Sequence, residues 1–276
     1  MTRPIRIGIQ LRPAQTQSYR QWRDAVLRAE DKGVDVVFGY DHFHWPAGSL
    51  SNDGVVLDPV QPDVNNFEGW TALGSWAEIT SRVEIGLLVT GVGYRNPDLL
   101  ADMARTVDHI SDGRLILGVG AGWYERDYAT YGYDFGTVGS RFDLFEQSLE
   151  RVEKRLGQLV PPPVRQIPIL IGGAGEKRTI PLVARYAHIW HAFADIDTYR
   201  RKNNLLIAAA DRIGRDHSEI ERSTSWGLDP KKGLTTAEAD AYADAGVTLF
   251  TIGINPDPDY DLSVLDAPLA WRDSRS

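Results

Sequence analysis

Five consecutive residues, Asp41-His42-Phe43-His44-Trp45, combine imidazoles with a carboxylate and an aromatic wall. An imidazole can donate or accept a proton near neutral pH, a carboxylate can fix its tautomer or hydrogen-bond a ring edge, and an indole can cover a planar ligand. We therefore predict that His42 is catalytic, that Asp41 binds a ligand and that Trp45 lines the substrate pocket. In the alternative, Asp41 caps a turn and His42 fills a polar gap.

His42 and His44 also form a His-x-His pair, a spacing that can hold a divalent metal ion. The chain has no cysteine to complete such a site, and only His188 and His191 stand near another strand end as further ligands. We predict no metal site, and a metal-dependent barrel hydrolase remains an alternative.

A glycine-rich turn follows a strand-like run at residues 168–178, PILIGGAGEKR. Glycines let the backbone approach a ligand closely, and the amides and dipole at a helix start attract an anion. The segment predicts a phosphate-binding turn. In the alternative, the tight strand-to-helix turn binds no phosphate and Glu176 itself interacts with the helix dipole. The residues assigned to it are Gly172, Gly173, Gly175, Glu176, Lys177 and Arg178.

The elements that must position these residues alternate between strand and helix. The clearest unit runs from residue 80 to 123, where two apolar strands flank a helix that Asn96 can cap and Pro97 can begin. Eight strand-like runs together predict one (β/α)8 TIM barrel spanning residues 1–276 as a single α/β domain. The seventh run is polar, and without it the fold would be an open doubly wound sheet. The runs are 5–10, 34–40, 83–90, 115–120, 167–172, 188–193, 223–227 and 247–253.

Barrel enzymes carry their chemistry on the loops that follow the strands' carboxyl ends. The pentapeptide follows strand two, the glycine turn follows strand five, and Thr90 with Gly91 follows strand three. Trp123 after strand four and His191 near strand six would complete the substrate pocket with Trp45. All of these residues are therefore expected at one mouth.

Composition excludes several classes of protein. The 276 residues are 42% hydrophobic and carry a formal net charge of −8, which gives no basic surface for nucleic acid. The amino-terminal residues show no signal-peptide pattern and no later run is long enough to span a bilayer. Without cysteine the chain fits a reducing compartment. We expect a cytoplasmic protein whose partner is a small-molecule substrate rather than nucleic acid or a membrane.

The set formed by DHF, TSRVEIGLLVTGVGYRNP, DHISDGRLILGVGAGW and PILIGGAGEKR resembles the bacterial luciferase-like superfamily. It is most similar to the oxidoreductases of that superfamily that use the deazaflavin coenzyme F420. The resemblance covers about residues 5–193 and implies a homodimer with the cofactor ring at the barrel mouth. An FMN-dependent luciferase-like monooxygenase is the alternative, and a non-catalytic cofactor-binding protein is a further one.

The resemblance also implies roles for particular residues. His42 would donate a proton beside the ring and Asp41 would bind the cofactor. Leu88 and Val89 match a bulge that often contains a non-prolyl cis peptide against the back of the ring, and Thr90 and Gly91 would line it. Two departures stand out: Trp123 replaces a catalytic glutamate found in a sugar-phosphate dehydrogenase, and the stretch between 151 and 166 is short, which implies an open mouth.

Overall fold

The chain folds as a closed barrel of eight parallel strands in the computed structural model, which describes residues 3–52, 54–228, 232–256 and 259–275. In chain order the strands are β1 Arg6–Leu11, β2 Val36–Gly39, β3 Gly48–Ser51, β4 Gly54–Leu57, β5 Glu84–Leu87, β6 Thr90–Gly91, β7 Leu115–Gly120, β8 Ile169–Gly172, β9 Ile189–His191, β10 Glu221–Ser225 and β11 Val247–Ile254. The barrel order is β1, β2, β5, β7, β8, β9, β10 and β11, and β11 closes the barrel by pairing with β1. The predicted TIM barrel is confirmed.

Helices follow the barrel strands, and several begin at the predicted signals. The Asn96 side chain caps α3 by accepting from an amide of its first turn, and Thr235 forms a capping box with Glu238 at the start of α8. The helices are α1 Tyr19–Lys32, α2 Gly69–Ile79, α3 Pro97–Ile110, α4 Glu125–Tyr131, α5 Val138–Leu156, α6 Thr179–Tyr186, α7 Ile196–Arg212, α8 Thr236–Asp244 and α9 Asp266–Asp273.

The polar seventh strand is real, although it lies two residues earlier than predicted. β10 is buried along its whole length and pairs in parallel with both β9 and β11. Its polar side chains have partners: Glu221 holds Arg6, Ser223 meets His191, and the Thr224 hydroxyl donates to a backbone carbonyl. The alternative of an open doubly wound sheet is therefore wrong.

The amino-terminal end of the barrel is closed by charge pairing. Arg6 lies between Glu84 and Glu221, and Arg165 adds a second contact to Glu84. Above this network an apolar layer fills the interior, so a ligand can enter only at the opposite, carboxyl end. The layer consists of Val36, Phe38, Ile116, Leu170, Ile189 and Leu249.

A β-hairpin made by β3 and β4 crosses the mouth. It leaves the barrel after β2, yet Asn52 donates to the carboxylate of Asp195 and accepts from its amide at 2.8 Å. Asp195 caps α7, which follows β9. Since β2 and β9 lie on opposite sides of the eight-stranded barrel, the hairpin spans the opening. The sequence did not predict this element, and it covers part of a mouth that the short 151–166 stretch was expected to leave open.

Candidate active site

His42 is oriented by a carboxylate that sequence reasoning missed. Its Nδ1 lies 2.7 Å from Oδ2 of Asp127, a fully buried residue in the first turn of α4. Because an ionised carboxylate can only accept, Nδ1 must carry the proton. Nε2 of His42 has no partner among the described residues. A neutral His42 therefore presents a lone pair at Nε2 that can take up a proton.

The Asp127 carboxylate accepts hydrogen bonds from both side chains and backbone amides of the loop after β2. Its Oδ1 accepts from the amides of Phe43 and His44, at 3.1 and 2.9 Å, and its Oδ2 also accepts from the Tyr94 hydroxyl at 2.9 Å. Burial raises the pKa of Asp127, but hydrogen bonds from the two imidazoles and the tyrosine outweigh it and hold the pKa below its ordinary value. The carboxylate is thus ionised over the working range and fixes the tautomer of His42.

Asp41 does not touch the imidazole of its neighbour as the sequence suggested it could. Its carboxylate is buried and meets the guanidinium of Arg95 with both oxygens, and Arg95 also holds Glu68 at 2.6 Å. Burial raises the pKa of Asp41 to about 6, against the lowering effect of the arginine. The physical reason for the difference is that bidentate pairing with Arg95 occupies the carboxylate and turns it away from His42. A role in binding the cofactor stays a prediction.

Leu88 and Val89 form the floor of the mouth. The peptide bond between them is cis, and the Leu88 carbonyl accepts from Nε2 of Gln10 at 2.7 Å. Both side chains are partly exposed and pack on the apolar layer inside the barrel. A Cβ at Gly120 would lie 2.9 Å from Val89, and one at Gly172 would lie 3.3 Å from it. These glycines make room for the bulge, so the mouth has an accessible apolar base.

Thr90 and Gly91 lie at the side of this floor. The Thr90 hydroxyl accepts a hydrogen bond from the indole of Trp70 at 3.0 Å, and Thr90 is fully buried. Its side chain therefore does not face the opening of the mouth. The Trp123 ring is 41% exposed and stands edge-on to His42, with 5.4 Å between ring centroids. Trp45 is partly buried in the loop after β2. The two tryptophans and His42 therefore lie on one side of the mouth.

The glycine turn offers an anion a row of unpaired amides. Gly173 has a φ of +117°, and its own amide donates to the His191 carbonyl at 2.9 Å. The amides of residues 174–178 have no partner among the described residues. A Cβ at Gly175 would lie 2.9 Å from Oγ1 of Thr179, so a side chain there would crowd the turn. The segment fits the predicted phosphate-binding turn.

The charged residues of the turn are only partly available to a ligand. Glu176 pairs with Arg201 and Lys202 on α7, and Arg178 pairs with Asp143 on α5. The carboxylate of Glu176 is therefore neutralised rather than directed against an incoming phosphate. Lys177 is exposed and has no ion-pair partner among the described residues. Their roles in cofactor binding stay predictions.

His191 lies at the end of β9 and is almost completely buried. Its Nδ1 is 2.8 Å from the Ser223 hydroxyl, while its Nε2 is buried without a partner. Burial lowers the pKa of His191 to about 3, so the ring is neutral at ordinary pH. The structure places it on the opposite side of the mouth from His42, where it can bind a neutral polar atom.

A phosphate-tailed planar ring fits these features. The floor at Leu88–Val89 is apolar and accessible. Within the part of the chain that the structure describes, the amides of 174–178 and Nε2 of His42 have no partner. Asp127 and Arg95 were missed because neither follows a motif. An acidic residue in the first turn of a helix is common, because it interacts favourably with the helix dipole, so Asp127 gave no signal of a special role. Arg95 lies in a loop and gave no signal either.

A family model described as luciferase-like monooxygenase matches residues 4–248. The chain belongs to this family. Within the luciferase-like monooxygenase family, its curated relatives include a phthiodiolone/phenolphthiodiolone dimycocerosates ketoreductase of Mycobacterium tuberculosis strain H37Rv. That protein is 29% identical over 255 residues, which cover 84% of this chain and 66% of the ketoreductase.

Solved structures of the same fold include enzymes with two different cofactors. An F420-dependent secondary alcohol dehydrogenase, solved with an F420-acetone adduct, has a TM-score of 0.74 at 18% identity and covers 92% of this chain and 94% of its own. A type II Baeyer-Villiger monooxygenase of Pseudomonas putida in complex with FMN has a TM-score of 0.61 at 19% identity, with 83% and 70% covered. At such identities the likeness shows the luciferase-like barrel fold.

No group of three or more His, Cys, Asp or Glu side chains in the described ranges of the chain could hold a metal ion. Of the helices that the structure describes, none is long and apolar enough to cross a membrane.

Proposed function

We propose that this luciferase-like protein is an oxidoreductase that uses the deazaflavin coenzyme F420 to move a hydride to or from a small organic substrate. The observation that carries the proposal is the His42–Asp127 pair, which leaves Nε2 of His42 without a partner among the described residues. His42 follows β2, which pairs with β5, the strand that leads to the floor at Leu88 and Val89. The name of the mycobacterial ketoreductase supports carbonyl reduction as the reaction class. The greater fold similarity to the F420-dependent dehydrogenase than to the FMN enzyme supports the deazaflavin.

The chain's own residues would bind the cofactor, orient it and move one proton. When bound, the deazaflavin supplies a ring carbon that accepts or gives the hydride. Leu88 and Val89 support the ring, and the amides of 174–178 hold its phosphate. Nε2 of His42 takes the proton from a substrate hydroxyl during oxidation and returns it to the carbonyl oxygen during reduction. Asp127 stabilises the imidazolium that forms, because its carboxylate stays ionised.

The hairpin and the aromatic side chains limit access of water. The hairpin that Asn52 anchors crosses the opening, and the rings of Trp123 and Tyr124 stand edge-on to His42. A low-dielectric site strengthens the hydrogen bond between His42 and Asp127 and protects the transferred hydride from solvent protons.

An FMN-dependent monooxygenase is the second candidate, because the family description and the Pseudomonas putida neighbour both favour it. The same floor and turn would hold a flavin. The absorption spectrum of the cofactor retained by the protein separates the two candidates. Tight cofactor binding without turnover would instead indicate a non-catalytic binding protein.

The test replaces His42 and measures cofactor and turnover separately. His42→Ala should retain cofactor affinity but lose at least tenfold in turnover on a panel of secondary alcohols and ketones, since general acid–base catalysis contributes about 10²–10⁴-fold. The matched control is His109→Ala on α3, whose imidazole bonds a carbonyl on the outer surface. Unchanged turnover in His42→Ala would remove this residue from the mechanism.

A further inference from the structure

Arg12 brings a guanidinium to the barrel mouth. It is the first residue after β1, and its amide donates to the Ile254 carbonyl at 3.1 Å. A Cβ at Gly253 would lie 2.5 Å from Nη2 of Arg12, so the side chain crosses the end of β11 inside the barrel. Its Nε donates to Gln10 at 3.1 Å, and Gln10 in turn holds the Leu88 carbonyl. Arg12 therefore lies one side chain away from the floor of the mouth.

The charge of Arg12 has no counterion among the residues that the structure describes. The side chain is mostly removed from water, and burial lowers its pKa. Its two terminal nitrogens donate to no carboxylate or carbonyl in the described part of the chain, and its backbone carbonyl accepts from the Tyr260 hydroxyl at 2.6 Å. Burying an unpaired charge is costly, so proteins normally supply a partner. Two further arginines at the barrel, Arg6 and Arg95, each hold two carboxylates.

Polar atoms without partners surround the same sector of the mouth. The barrel order β9, β10, β11 and β1 brings the ends of these four strands side by side. Besides Arg12, they carry Nε2 of His191, the Ser225 hydroxyl and Oδ1 of Asn255, all buried and without a hydrogen-bond partner in the described ranges. Buried polar groups are normally satisfied, so this cluster indicates a missing ligand. We call Arg12, His191, Ser225 and Asn255 the polar sector.

We infer that the polar sector binds a carboxylate of the substrate, with Arg12 as its counterion, so that the enzyme acts on small organic acids. A guanidinium offers the planar, paired donors that match a carboxylate, and the Ser225 hydroxyl and neutral His191 add uncharged contacts. His191 lies across the mouth from His42, whereas Arg12 follows β1, which pairs with β2, the strand that precedes His42. The sector therefore extends from the far side of the mouth to the side of His42, so a substrate bound in it can reach His42. This inference rests on the proposed function, which supplies the reaction at the other end of the substrate.

The site proposed for the cofactor's phosphate is separate from Arg12. The turn at 174–178 follows β8, whereas Arg12 follows β1, on the opposite side of the eight-stranded barrel with three strands between them. An anionic edge of the cofactor ring is the other source of negative charge that could reach Arg12. A competition experiment distinguishes that source from a substrate carboxylate.

The experiment titrates the protein with propionate and with its uncharged isostere propionamide, at constant ionic strength, with and without bound cofactor. Binding is followed by the NMR signal of the Arg12 side chain, assigned with Arg12→Lys. We expect propionate to shift this signal and to bind at least tenfold more tightly than propionamide, because charge-assisted hydrogen bonds are the stronger class. Arg12→Gln should lose the preference, while Arg20→Gln, an exposed residue on α1, should keep it.

Three outcomes overturn the inference. Equal binding of propionate and propionamide to the wild-type protein would show that the sector has no anion preference, whether or not Arg12→Gln folds. An undiminished preference in a folded Arg12→Gln would place the anion site elsewhere. Displacement of propionate by the cofactor would assign the charge to the ring. If neither deazaflavin nor FMN binds while propionate still does, the proposed function fails and the anion site stands.

Discussion

Replacing Asp127 by asparagine removes the negative charge beside His42 but keeps the size and shape of the side chain. The amide oxygen can keep the two backbone contacts from Phe43 and His44, which Oδ1 now accepts. The amide NH2 would then face Nδ1 of His42 and the Tyr94 hydroxyl, two groups that now donate to Oδ2 at 2.7 and 2.9 Å. The amide NH2 can only donate, so it would face two other donors and could not replace either hydrogen bond as it now stands.

The cost can be estimated from those two contacts. A hydrogen bond to a charged group contributes about 1.5–3 kcal/mol, so two would cost about 3–6 kcal/mol if both were simply lost. His42 can change tautomer and the Tyr94 hydroxyl can turn to accept, which recovers part of the energy. We expect Asp127→Asn to lower the free energy of unfolding by about 3 kcal/mol. The change of tautomer moves the proton of His42 to Nε2, so turnover should fall by about 10²-fold or more.

The assay is urea unfolding together with turnover and a cofactor titration on the same protein. The matched control is Glu125→Gln, an exposed acid in the first turn of the same helix. If Asp127→Asn matched this control in both stability and turnover, the carboxylate would not be orienting His42. A loss of stability with full turnover would also contradict the reasoning, since it would make Asp127 purely structural.

Three further changes test other parts of the site. Asp41 has its pKa raised to about 6, so between about pH 4 and 6 the folded protein holds a proton that the unfolded chain has lost, and stability falls as the pH rises. Urea unfolding at several pH values should therefore show that the free energy of unfolding of the wild type falls by about 3 kcal/mol relative to that of Asp41→Asn over this range. If the free energies of the two proteins changed in parallel with pH, the carboxylate would be ionised throughout. Gly175→Val should weaken cofactor binding at least tenfold, because its side chain would fill the turn where a threonine hydroxyl already lies 2.9 Å from the Cβ position. Gly74→Val on the surface of α2, where a Cβ meets nothing within 4 Å, is its control, and equal affinity of the two variants would make the turn merely structural. Asn52→Ala should release the hairpin from Asp195 and speed amide hydrogen exchange in β3 and β4, and unchanged exchange would show that the hairpin is held by other contacts.

The barrel could be predicted because its signals are local. Buried parallel strands are apolar throughout, as in β7, and helix starts carry capping residues such as Asn96 and Thr235. Even the polar β10 was placed within two residues, since the regular alternation of strands and helices required a seventh strand. Its burial could not be foreseen, because it depends on partners such as Arg6, more than two hundred residues away.

The site was predictable only in part, for the same reason. His42, the floor at Leu88 and Val89 and the glycine turn lie at strand ends, where a barrel exposes its chemistry. Asp127, Arg95 and Arg12 act through contacts between distant segments, and a single acid or arginine in a loop or first turn carries no signal of its own. The Leu88–Val89 cis peptide that the family resemblance implied is present in the structure.

The central claim is that the barrel mouth binds a deazaflavin. A direct test titrates purified protein with coenzyme F420 and with FMN side by side and follows the fluorescence of each ring. We expect both cofactors to bind saturably, because each can place its phosphate at the turn at 174–178, and we expect the deazaflavin to bind more tightly. Tighter binding of FMN would contradict the choice of cofactor, and failure of both to bind would contradict the assignment of the mouth as a cofactor site.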